Sequence, residues 1–111
     1  MSLWKPTAAV FFGGTEQMKA LTGRKVRTRV PLQSIAVYDP IHGKQETFSL
    51  RQGAVGLIAN PHPVRFDFLI AFPVNGGQQV TSLDQLSRSG AFKVLVINEP
   101  TFKMQFEIEM P

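Results

Sequence analysis

The stretch FKMQFEIEM, residues 102 to 110, alternates apolar and polar side chains without a fault. Phe102, Met104, Phe106, Ile108 and Met110 fall on one side of an extended chain, and Lys103, Gln105, Glu107 and Glu109 on the other. Successive side chains of a strand point to opposite faces, so the pattern predicts a strand with one face on a core and one in water. Half-buried strands of that kind belong to antiparallel sheets.

Turn chemistry divides the rest of the chain at Gly13-Gly14, Gly23, Asp39-Pro40 to Gly43, Asn60-Pro61-His62-Pro63, Asn75-Gly76-Gly77 and Asn98-Glu99-Pro100. The segments between predict strands over 8–12, 25–30, 34–38, 45–50, 54–59, 64–72, 91–97 and 102–110. Two short helical patterns interrupt them. Thr15 can cap a turn carrying Met18 and Leu21 that ends at Gly23, and Ser82 with Gln85 has capping-box spacing ahead of Leu83 and Leu86, ending at Gly90. The fold expectation is therefore mainly β: an antiparallel sandwich or barrel of about seven to eight strands with two short helices, with an α+β arrangement as the runner-up.

Two strands are apolar on both faces. In 64–72, Phe66, Phe68, Ile70 and Phe72 oppose Leu69 and Ala71; in 91–97, Phe92, Val94 and Val96 oppose Leu95 and Ile97, with Lys93 the one charge. Such strands are covered twice. Either the small helices cover the second face or a neighbouring chain does, and for the neighbour the candidate interface residues are Leu69, Leu95 and Ile97.

At 111 residues with 43 % hydrophobic and 18 % charged side chains, the chain reads as one β domain over 1–111 that buries a single core. It has no cysteine, which removes disulfides, thiol nucleophiles and thiolate metal sites together. No apolar run is long enough to span a bilayer and the first residues do not read as a secretory signal, so the expected location is the cytoplasm or an assembled particle.

The net charge is +4, and it is concentrated in the N-terminal half. Lys19, Arg24, Lys25, Arg27 and Arg29 lie together in a stretch that contains no acid. On a strand, Lys25, Arg27 and Arg29 would form one stripe able to follow the phosphates of a nucleic-acid strand. No aromatic is interleaved with them; stacking platforms would have to come from Phe48, Tyr38 or Trp4, each of which reads as core.

Catalytic signatures are missing from the sequence. Phe11-Phe12-Gly13-Gly14-Thr15 is a strand, a glycine turn and a helix start, but it has neither the P-loop lysine nor the dinucleotide-binding spacing. His42 and His62 sit in Pro-containing loops, and the nearby acids Asp39 and Glu46 make no recognised metal spacing with them. There is no nucleophile elbow, and Glu107 with Glu109 reads as a solvated strand face. No catalytic residue, metal ligand or cofactor is assigned. The preferred reading is a non-enzymatic structural or interaction subunit of coat, decoration or adaptor type, including a virion component, with a protein partner and self-association. The alternative is a single-stranded nucleic-acid-binding β-barrel using the basic strand 24–29, and an enzyme acting on an anionic substrate comes third.

Overall fold

The computed structural model describes residues 3–7, 19–39, 42–59, 67–74, 80–90 and 92–110. Eight strands, β1 (Leu3–Pro6), β2 (Lys25–Thr28), β3 (Leu32–Asp39), β4 (Lys44–Leu50), β5 (Val55–Ile58), β6 (Asp67–Pro73), β7 (Phe92–Asn98) and β8 (Phe106–Met110), form one sheet in the order β1-β8-β2-β5-β6-β7-β3-β4. Every described pairing is antiparallel. Two helices lie wholly among the described residues, α1 (Leu83–Ser89) and α2 (Glu99–Gln105). The mainly antiparallel class and the strand number agree with the sequence pattern; the sheet is single and does not close into a barrel. The strand expected over 8–12, the Gly13-Gly14 turn, most of the first helical pattern and His62 lie outside the described residues.

The register sorts the sheet into two faces. Phe68 opposes Ile97, and Ile70 opposes both Leu95 and Ile58, so these five share the inner face, joined there by Val26, Val37, Phe72, Phe106 and Ile108. On the outer face Leu57 opposes Ala71, and α1 lies over this pair with Leu86 and Leu83. Thus the smaller core beneath α1 supplies the cover expected for a doubly apolar strand. The local signals for α1 hold: the Ser82 side chain accepts a hydrogen bond from the Gln85 N–H, and Gly90 closes the helix at φ 66°, a left-handed conformation that favours glycine.

The unbroken alternation of 102–110 is corrected in its first half. Residues 99–105 are helical, and the strand begins at Phe106. Asn98 caps the helix through its side chain, Pro100 fits the first turn, and Glu99 reaches Lys103 one turn on at 2.8 Å. These local preferences outweigh four residues of strand periodicity. Phe102 and Phe106, four apart, then sit on the same side of the chain. Phe102 stacks on Phe68 with ring centroids 4.1 Å apart and lies 5.6 Å from Phe106. Met104, expected inside, is 73 % exposed. The buried Thr7 hydroxyl lies 2.9 Å from the Phe102 carbonyl and 2.8 Å from that of Phe106, tying the end of β1 to this junction.

Candidate functional site

The basic segment does not form the expected stripe. β2 stops at Thr28, and Arg29 lies in the bend beyond it, where its backbone N–H donates to the Gln105 carbonyl at 2.8 Å. Arg24 precedes the strand, its carbonyl accepting from the Ile58 N–H at 3.0 Å, and Lys19 is exposed on helical backbone ahead of the turn that starts at Leu21. Only Lys25 and Arg27 share the outer face of β2. Arg27 is directly opposite Glu107 of β8, with Nη2 to Oε2 at 3.3 Å, and its guanidinium lies 4.5 Å over the Trp4 ring. Trp4 is therefore a partly exposed outer-face residue instead of core, while Phe48 packs against the inner core. With Glu107 and Glu109 on the adjoining strand, this corner carries both signs of charge and focuses little positive field.

A polar cluster invisible in the sequence spacing lies at one end of the inner face. Val94 of β7 pairs with Tyr38 of β3, which places Lys93 beside Asp39 and Glu46. The Lys93 amine is 3.0 Å from Asp39 Oδ2 and 2.6 Å from Glu46 Oε2, and both Lys93 and Asp39 are buried. Asp39 also holds His42 at the hairpin tip, through the His42 backbone N–H at 3.1 Å and the ring Nδ1 at 2.8 Å. The hairpin closes with Gly43 donating to the Asp39 carbonyl at 2.8 Å. Hydrogen bonds that the Lys93 amine donates to Glu46 and then to Asp39 raise its pKa above the usual lysine value, against the opposing pull of desolvation. The amine is thereby held as a cation and is a poor nucleophile. His42 is oriented by a carboxylate, as a general base is, but among the described residues no hydroxyl is hydrogen-bonded to its ring, and no three His, Cys, Asp or Glu side chains could hold a metal ion.

The cluster has a pH signature. The folded state holds the Lys93 proton more tightly than the unfolded chain, so its contribution to stability is complete below the ordinary lysine value of 10.5 and is lost as pH rises through the higher folded value. Denaturant midpoints measured from about pH 9 to 12 are expected to fall more steeply for the native chain than for Lys93→Met, since lysines titrate in that window. Parallel curves would remove the ion cluster from the stability of the fold.

The third candidate is the outer face beyond the reach of α1. The expected interface residues divide between the two faces: Leu95 and Ile97 are 4 % and 9 % exposed in the inner core, so neither is available to a neighbour, whereas Leu69 is half-buried on the outer face opposite Val96. The choice of face follows from Phe68, Ile70 and Phe72, the bulkiest apolar row of β6, which joins the phenylalanine stack and takes Leu95 and Ile97 with it. What stays outside is the other row of β7. Val96 is 54 % exposed and Tyr38, on β3, is 43 % exposed. Ala36 and Thr47 continue this face to the β4 edge, and none of these residues carries a charge at neutral pH. Among the described residues no helix is long and apolar enough to cross a membrane. No protein-family model, no curated protein and no solved structure matches the chain.

Proposed function

We propose that the protein is a non-enzymatic structural or interaction subunit, of coat, decoration or adaptor type, that acts by presenting the outer face of its β6-β7-β3-β4 corner to another protein surface in a homo-oligomer or larger assembly. The observation that carries this reading is an open patch around Val96 and Tyr38, continued by the uncharged Ala36 and Thr47 and left uncovered by a helix that packs on Leu57, Ala71 and Phe92 of the same face. Exposed contiguous apolar surface of this kind marks interaction sites. The basic character of the chain lies elsewhere, so the patch favours an apolar contact over a phosphate backbone.

Val96→Lys tests it. A lysine at this exposed position is expected to change folding stability by no more than about 0.5 kcal/mol, while sedimentation analysis shows weaker self-association than for the native chain. Self-association identical to that of the native chain would remove the patch from the interface. Single-stranded nucleic-acid binding is the second reading, favoured by Trp4 stacked against Arg27 beside Lys25. It ranks lower because Glu107 already engages that guanidinium.

A further inference from the structure

The two ends of the sheet are built differently. Among the described residues, β1 has only β8 beside it and β4 has only β3. β1 is four residues long and ends in Pro6, which has no N–H to offer a neighbour, as protected edges commonly do. β4 is seven residues long and contains neither Gly nor Pro. The one irregularity in its ladder falls on β3, between Leu32 and Ile35, where Ser34 has φ 55°; β4 itself stays regular. Its residues Lys44 to Thr47 and Ser49 are exposed. A long, regular edge presents alternating N–H and C=O groups and is a template for another strand.

The outer face beside this edge bears on what that strand is. The open outer face beside β4 has a footprint of about 300 Å², from four strands about 4.8 Å apart and about five residues at 3.4 Å each. A stable complex buries about 800 Å² per partner, so this face needs a further contact next to it. A second copy joined at the β4 edge sets a second such face beside the first, about 600 Å² together.

We infer that two copies of the chain join by antiparallel pairing of β4 with β4 about a two-fold axis through Thr47, giving one sheet that runs through both molecules. This rests on the assembly reading above and adds to it the partner and the register. Outer-face residues must oppose outer-face residues, so the axis has to pass through a residue and not between two. With the axis at Thr47 all seven residues of β4 overlap. Thr47 meets its own copy, Gln45 meets Ser49, Glu46 meets Phe48 and Lys44 meets Leu50. No like charges are opposed. Moving the axis to Glu46 sets two carboxylates opposite each other, and moving it further shortens the overlap. The pairing also brings the two Val96–Tyr38 patches to the same side of the joined sheet.

The absence of cysteine makes the register directly readable. Opposed Cα atoms in an antiparallel pair lie about 4.5 to 5.5 Å apart, inside the range of about 4.4 to 6.8 Å that a disulfide spans. Under mild oxidation the full-length Thr47→Cys protein is expected to become a covalent dimer, and Ser87→Cys, exposed on α1, to remain monomeric. Thr47→Lys and Thr47→Glu should each lose the dimer in sedimentation, and their equimolar mixture should regain it. Cross-linking no greater at Thr47 than at Ser87, or a mixture as monomeric as its components, overturns the pairing. If Val96→Lys weakens association while Thr47→Cys fails to cross-link, the edge proposal falls and the face reading stands. If Thr47→Cys cross-links while Val96→Lys leaves association unchanged, the edge stands and the face falls. A native chain that stays monomeric at high concentration also overturns the self-pairing, and leaves the edge to an extended segment of a different protein.

Discussion

Phe102→Ala is expected to lower the unfolding free energy by about 3 to 5 kcal/mol, the usual cost of truncating a fully buried phenylalanine. Phe102 has no exposed surface, stacks on Phe68 at 4.1 Å and stands between that ring and Phe106. Its side chain is also the one fully buried anchor of α2, so its loss leaves that seven-residue helix with little to hold it on the sheet. Urea denaturation of the variant reads the loss directly. The neighbouring Met104→Ala is the control: Met104 is 73 % exposed, and its truncation should cost no more than about 0.5 kcal/mol. The pair separates helix from strand, because an uninterrupted strand over 102–110 would put Met104 on the same buried side as Phe102. Comparable losses at the two positions would restore the strand.

Gly56→Ala is the second large effect. The Val26–Gly56 pair places Gly56 on the inner face of β5, where the Phe72 ring closes on the space a side chain would take. A Cβ there would stand 2.8 Å from the Ala71 carbonyl oxygen and 2.8 and 2.9 Å from two carbons of the Phe72 ring. Both neighbours are confined: one is backbone, and the other is a buried ring 6.3 Å from Phe106. Overpacking of this kind costs about 1 to 3 kcal/mol and sometimes more. A lowered thermal midpoint is the expected result, with partial recovery in Gly56→Ala combined with Phe72→Leu, since the carbonyl clash remains. An unchanged midpoint in the single variant would mean that β5 and β6 move apart at little cost.

Much of this fold was legible in the sequence where one signal acted alone. Phe106 and Ile108, with the outward Glu107 and Glu109, follow the period of two, and Ser82, Gln85 and Gly90 bound α1 as their capping chemistry requires. Errors arose where two signals competed. Asn98-Glu99-Pro100 is turn chemistry, but the same residues cap and open a helix, and the Glu99–Lys103 spacing is the clue that tips the reading toward α2. β1 offered no pattern, because four residues ending in proline carry too little periodicity, and its place beside β8 is a long-range fact. For the candidate surfaces the limit was pairing. The opposition of Arg27 and Glu107 across β2 and β8 cut the basic stripe, and the meeting of Lys93, Asp39 and Glu46 depends on β3 lying beside β7. Nor could alternation along β7 say which of its two apolar rows would face inward.

The order of the sheet sets a timetable for its synthesis. β5, β6 and β7 find their neighbours soon after they are made, and β3 closes on β4 through a short hairpin, but β2 lies between β5 and β8, and Arg27 is eighty residues from Glu107. At about 5 to 20 residues per second on the ribosome, one flank of β2 waits about 4 to 16 s for its partner to be translated. During that interval Val26 is half-sheltered at best, and Lys25 and Arg27 are the charges beside it. Cations on a waiting strand discourage pairing with the wrong chain. Lys25 and Arg27 therefore flank Val26 from the moment β2 is made, eighty residues before Glu107 opposes Arg27.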